Sequence, residues 1–368
     1  MKNRFLLTVI LSLFFLTSYA QKKTAPAAPP AKTEEDLKFT PVVELKATPV
    51  KNQSATGTCW DFATTSFIES ELLRMGKGEY DLSEMYIVRQ NYKDKLKDNY
   101  LRQGKGNLGE GSLSHDWMKV FSEAGIVPDE VYTGLNYGSP THNHGELNDF
   151  INAVAAVPVQ RKKESDQYLT IIDAILDTYL GKVPETFTYK GVSYTPKSFA
   201  ASLGINPSDY VEITSFTHFP FYTLGLLEIH DNWRMERFYN VTLDELIGTL
   251  DYSLNSGYTV AWDGDVSETG FSHKKGVATI PEAVVTQESR QSGYENFSTT
   301  DDHLMHITGI SKDQNGVKYY ITKNSWGTER NSFGGYLNMS ENYVRAKTLF
   351  IMVNKSAIPQ AIRTKLGL

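Results

Sequence analysis

A single cysteine, Cys59, stands in 368 residues, so the chain can form no internal disulfide. Whatever it folds into must be held by a buried core, and 40% hydrophobic with 12% aromatic residues supplies one. The compartment makes the lone thiol more pointed. The chain opens "MKNRFLLTVILSLFFLTSYAQKK", with Lys2 and Arg4 ahead of an apolar stretch over residues 5–16 and Ser18-Tyr19-Ala20 after it. That is the pattern of a secretory signal peptide over 1–20, too short for a membrane anchor, and it predicts export with cleavage near Ala20. No cysteine follows the apolar stretch to carry a lipid. An unpaired thiol in an exported protein is best explained as a reactive group or an intermolecular link.

Residues 21–36, "QKKTAPAAPPAKTEED", are rich in Ala, Pro and Lys without apolar periodicity and read as a disordered linker. The remainder, 37–368, is long enough for one large domain. The net charge of −6 becomes more negative once Lys2 and Arg4 leave, and no basic block interleaves with aromatics. Nucleic acid is therefore not expected as a partner, nor a membrane after signal cleavage.

From Thr58 the apolar positions Trp60, Ala63, Phe67, Ile68, Leu72 and Met75 recur at helical steps. Thr58 and Asp61 form a capping signature, which puts Cys59 in the first turn. Further helices are predicted in "LSEMYIVRQNYKDKL", capped by Ser83, and in "SLSHDWMKVFSEAG", ending at Gly125. Residues 140–250 carry several more helical segments and read as a helical insertion. The last third is β-rich: "HLMHITGI" and "VKYYITKN" flank an Asn315-Gly316 turn as a hairpin, and "GGYLNMS" and "TLFIMVNK" add strands. A helix that carries the cysteine first and a β-half last predict an α+β fold of two lobes with a cleft between.

The residues near Cys59 suit a nucleophile. A helix N-terminus favours thiolate, the small residues "SATGT" permit close approach, and the Gln53 amide can donate to an oxyanion. A base and an orienting group are needed as well. His303 and His306 lie in the first hairpin strand and Asn324 ends the second, so His303 and Asn324 can meet across it, with Trp326 as a roof against water. His142 and His144 lack a third ligand at metal-site spacing and read as a solvated loop. "WDGDVSETG" is not a calcium loop, and "GKGNLGEG" is not a phosphate loop. No metal or other cofactor is implied.

"NQSATGTCW" resembles the Gln-x5-Cys-Trp segment of the papain superfamily, "HLMHITG" its His-x5-Gly strand, and "NSWG" (324–327) its Asn-Ser-Trp-Gly motif. "PETFTYKGVSYTPKSFAASLG", "DYVEITSF" through "PFYTLGLLEIHDNW", and "GYTVAWDGDV" resemble the branch that contains bleomycin hydrolase and aminopeptidase C. The resemblance spans about residues 40–358. It implies a papain-like two-lobe fold interrupted by a helical insertion, and a cysteine peptidase acting on peptides through a thioester. By position, Cys59 is then the nucleophile, His303 the general base, Asn324 its orienter, and Gln53 with the Cys59 amide the oxyanion hole. The His-x5-Gly spacing to Gly309 selects His303 over His306. Gly111 would bind substrate backbone, although Glu110 replaces one glycine of the pair.

That branch forms closed homo-oligomers, is generally intracellular, and places its C-terminus in the cleft to limit cleavage to N-terminal residues. Here "SAIPQAIRTKLGL" follows the last strand, and Pro359 marks a helix start, which shortens its reach. An aminopeptidase and an open-cleft endopeptidase both stand at this point. An acyl transferase is the poorer reading, because its usual third member is Asp, and an inactive scaffold would not fill all four catalytic positions.

Overall fold

A computed structural model describes residues 37–281 and 284–368. The expected signal segment and linker lie outside the described residues. The first strand, β1 (Thr40–Glu44), precedes three helices: α1 (Cys59–Arg74), α2 (Glu84–Leu101) and α3 (Ser114–Ala124). α1 is buried on nearly all sides, by Trp60, Phe62, Phe67, Ile68 and Leu72 but also by Asp61, Thr64 and Glu69. It begins at Cys59 as expected, but the cap differs. Thr58 makes no side-chain cap bond; its hydroxyl pairs with that of Thr56 at 2.6 Å. The Asp61 carboxylate turns inward to accept from Thr65 at 3.0 Å. The fully buried Thr58 hydroxyl finds its partner in Thr56 and so leaves the local capping box unmade. Ser83 does cap α2, accepting from the Tyr86 N–H at 3.1 Å, and Gly125 ends α3.

The middle of the chain is only half what its pattern suggests. α4 (Gly145–Arg161) and α5 (Asp166–Leu180) are helical, followed by a small hairpin, β2 (Phe187–Tyr189) with β3 (Val192–Tyr194), and α6 (Pro196–Leu203). Tyr168, Ile172, Leu176 and Leu180 of α5, spaced by four, line the inner face that joins the core of α1 to α3. Beyond residue 203 the helical reading of 140–250 needs correcting. β4 (Tyr210–Thr214), β5 (Leu224–Leu226) and β6 (Arg237–Asn240) enter the main sheet before α7 (Leu243–Asn255). Strands of three to five residues are too short to establish a period of two.

The β-rich last third contains β7 (Val260–Gly264), β8 (Phe271–Ser272), β9 (Val277–Ala278), α8 (Gln287–Glu295), β10 (His303–Lys312), β11 (Lys318–Lys323), β12 (Tyr336–Ser340), α9 (Glu341–Lys347), β13 (Thr348–Asn354) and α10 (Gln360–Leu366). The sheet runs β5-β6-β4-β13-β7-β10-β11-β12-β9-β8, with β1 added to β10. The β10–β11 hairpin turns at Asn315-Gly316 as predicted, with Gly316 at φ 81° and the Asp313 carboxylate accepting from the Asn315 and Val317 amides at 2.8 Å each.

The sheet's two faces are covered differently. Ala261, Leu304, Phe350 and Met352 face α1, whereas Trp262, Met305, Ile307 and Ile351 face α7. Residues 360–366 form the expected helix after Pro359. Ile362 and Leu366 bury themselves in the α7-side core, and Lys365 pairs with Glu245 at 2.6 Å. The glycine of His-x5-Gly has a packing reason: a Cβ at Gly309 would lie 2.2 Å from the Val43 carbonyl of β1.

Candidate active site

The loop before Cys59 is tied down from both lobes. On the β side, the Gln53 N–H donates to the Ser325 carbonyl at 2.8 Å, Asn52 bridges to Trp326, and the Gly327 N–H donates to the Lys51 carbonyl at 3.1 Å. On the α side, Glu110 accepts the Gly57 N–H at 2.7 Å, and its carbonyl accepts the Trp60 indole N–H at 3.0 Å. Glu110 therefore anchors the loop where a glycine could not. Residues 142–144 hold the same loop. The Ala55 N–H donates to the His142 carbonyl at 3.1 Å, and the His144 N–H to the Ala55 carbonyl at 3.2 Å. His144 is fully buried, which corrects the expectation of a solvated loop.

The hairpin brings His303 and Asn324 together. Its register pairs His306 with Lys323, so Asn324 lies one residue past the end of β11 and reaches back to the start of β10. His303 Nε2 and Asn324 Oδ1 are 2.8 Å apart. The amide oxygen can only accept, so Nε2 carries the proton and Nδ1 is left as the ring's acceptor. The Trp326 ring lies 4.7 Å from the His303 ring, centroid to centroid.

Two further residues, unassigned by the sequence, set the orientation. His273 Nδ1 lies 3.2 Å from Asn324 Nδ2, which fixes which way the amide faces. The Ser325 hydroxyl donates to Gln53 Oε1 at 2.6 Å, so the Gln53 NH2 points the other way. One of its hydrogens goes to the Thr56 carbonyl at 2.8 Å, and the second remains for a ligand. Gly327, at φ 74°, supplies the left-handed turn that lets Asn324, Ser325 and Trp326 face one site.

The electrostatics depart from the sequence expectation. Burial pushes the Cys59 thiol up to about 12. The Leu304 N–H at the sulfur opposes this, while Asp263, Asp231 and Asp301 add to it. The helix N-terminus therefore does not make Cys59 a resting thiolate. Burial likewise pulls His303 down to about 4, against the Asn324 bond, with His273 adding to the fall. In both groups burial works against the charged form. His306 lies in a separate environment, buried with Nδ1 2.9 Å from the Ser66 hydroxyl, and burial followed by Lys323 holds it well below its usual value.

Gly111 is not the open platform expected. Its carbonyl accepts from the Lys95 ammonium, and a Cβ at 111 would lie 1.9 Å from Asp231 Oδ2. A carboxylate from the loop after β5 has moved into the space beside the glycine.

Residues 118–367 match the Peptidase C1-like family. The chain belongs to the Peptidase C1-like family. Residues 40–178 also match the papain family of cysteine proteases. Aminopeptidase C of Streptococcus thermophilus is 23% identical, over 88% of this chain and 84% of that protein. The mitochondrial cysteine proteinase 1 of Saccharomyces cerevisiae is 21% identical, over 90% and 80% respectively. Among solved structures, PepW from Lactobacillus rhamnosis HN001 superposes with a TM-score of 0.70 at 20% identity, over 89% of this chain and 84% of that one. The α+β papain-like fold and the cysteine-peptidase activity expected from the motifs therefore stand.

Proposed function

We propose that this family member removes residues from the N-terminus of peptides, with Cys59 as nucleophile. The observation that carries the roles is the His303–Asn324 bond, set beside a Gln53 amide that Ser325 locks into a donor orientation. His303 Nδ1 takes the thiol proton as Sγ attacks the scissile carbonyl carbon. The tetrahedral oxyanion is held by the free Gln53 N–H and the Cys59 backbone N–H. Collapse breaks the C–N bond, His303 returns the proton to the leaving amine, and a thioester remains. Water then attacks the thioester, His303 accepts the water's proton, and the acid leaves as Sγ regains its hydrogen. No metal or cofactor enters any step.

The name of the Streptococcus relative supports an aminopeptidase, as does the occupied space beside Gly111, which narrows the cleft that an endopeptidase needs open. Fluorogenic aminoacyl amides are therefore expected to turn over at least tenfold faster than their N-acetylated counterparts. Equal rates on both would leave the endopeptidase.

We also propose that the protein is exported, on the signal-like pattern of residues 1–20. The mature chain should begin at or near Gln21 and be recovered outside the cytoplasm. An intact Met1 terminus in the soluble cytoplasmic fraction would contradict this.

A further inference from the structure

Three carboxyl groups from separate parts of the chain act on the charge of the thiol. Asp231 follows β5, Asp301 sits two residues before His303, and Asp263 lies within β7. Asp231 Oδ2 occupies the space next to the Gly111 Cα, while Asp231 Oδ1 accepts from Asn107 Nδ2 at 3.3 Å and lies 3.5 Å from His230 Nδ1. The Asp231 N–H points at Asp301 Oδ2, 3.4 Å away. The ammonium of Lys95, a neighbouring cation, is committed to the Gly109 and Gly111 carbonyls.

Asp263 points to a missing ligand independently of the other two. It pairs in register with Leu304, the residue whose N–H reaches Cys59 Sγ, and it shares the face of Ala261, which α1 covers. It is fully buried, and neither of its oxygens has a hydrogen-bond partner among the described residues. A buried carboxyl with two empty acceptors costs free energy, and native structures rarely tolerate one without a reason. Burial, then Asp301 and Asp231, drive Asp263 well above the usual carboxyl range, and burial with Asp231 pushes Asp301 up to about 7. Buried carboxyls raised by neighbouring acids in this way mark a place where a positive charge would be welcome.

We propose that Asp231, with Asp301 and Asp263 behind it, receives the protonated α-amino group of the substrate's first residue and so confines cleavage to the bond after that residue. This rests on the aminopeptidase reading above, and it names the residues that would enforce it. In an aminoacyl group the ammonium nitrogen is two bonds from the scissile carbonyl carbon. Once that carbon is within about 3–3.5 Å of Sγ, the charge lies inside the field of the same three acids. The side chain of Asp231 also takes the room beside Gly111 that the second residue of a longer N-terminal extension would need.

The arrangement has a catalytic consequence. Burial holds Cys59 as a thiol and the three acids add to that, so a substrate ammonium placed among them offsets the acids' share of the cost of moving the thiol proton to His303. An N-blocked peptide brings no such charge and leaves the acids' share in place. Selection would then appear in kcat as well as in KM.

The test uses the full chain and one isosteric variant, Asp231→Asn. On the same preparation, kcat/KM is measured for a free aminoacyl coumarin amide and for its N-acetyl form, with active sites counted by an uncharged thiol alkylator. Because both substrates see the same molecules, their ratio is insensitive to any fraction that fails to fold. The ratio is expected to fall at least tenfold in Asp231→Asn, with part of the fall in kcat. If the wild type prefers the free amine and Asp231→Asn keeps that preference, the anchor is wrong while the aminopeptidase survives. If the wild type shows no preference, the aminopeptidase reading fails first and takes the anchor with it.

Discussion

Cys59→Ala is expected to abolish peptide hydrolysis, by a factor on the order of 10⁵ to 10⁶, while leaving the protein folded. The size follows from the absence of a substitute. No other cysteine exists in the chain, and the Ser54, Thr56 and Thr58 hydroxyls nearby are not placed to replace a sulfur that leads its helix. The fold should survive because, among the described residues, the Cys59 thiol has the Leu304 N–H as its hydrogen-bond partner and little else depends on it. Alanine is the best helix former, and the packing of α1 is carried by Trp60, Phe62, Phe67 and Ile68 behind it. The measurements are turnover of an aminoacyl amide and thermal unfolding by circular dichroism. Hydrolysis at undiminished rate by a folded Cys59→Ala protein would end the thiol mechanism.

What could be read in advance of the structure was whatever local spacing carries. Cys59 at a helix start, the His303–Asn324 hairpin and the Gln53 segment each follow from residues close in sequence, and the register of β10 on β11 does the rest. The helical texture of α4, α5 and α6 was equally legible, since an apolar residue every fourth position is a strong signal. The strands β4, β5 and β6 were not, because their few residues show little alternation and they join the main sheet only through β4 on the distant β13.

The charge environment of the thiol was not legible either. Asp231, Asp263 and Asp301 have no common spacing. They meet because β7 pairs with β10 and the loop after β5 folds over Gly111. Thus the sequence favours a thiolate by its helix start, whereas tertiary burial and long-range acids reverse the sign. Glu110 teaches the same lesson at smaller scale. As a departure from a motif it weakens a prediction, but in the structure its carboxylate bonds the Gly57 N–H and stiffens the loop that presents Cys59.

The two histidines of β10 should separate cleanly. His303→Ala is expected to lower kcat by about 10⁴-fold or more, because one imidazole both accepts the thiol proton and returns it to the leaving amine. Its Nε2 is spent on Asn324 and its Nδ1 is left as the ring's acceptor, which is the arrangement a shuttle needs. His306 is three residues further along the same strand, but its Nδ1 is engaged with Ser66, whose oxygen also accepts from the Lys323 ammonium at 2.7 Å. Burial and that neighbouring cation hold His306 well below its usual value, and its Nδ1 is already engaged away from Cys59. Removing it leaves a small void and strips a hydrogen bond from a buried polar group, at a cost of about 1–3 kcal/mol in stability. The His306→Ala protein should therefore unfold at lower denaturant and keep kcat within severalfold of wild type. Denaturant titration and single-turnover rates on both variants decide the matter. If His306→Ala is the inactive one and His303→Ala merely the less stable, the base is at 306 and the Asn324 bond is a structural tie.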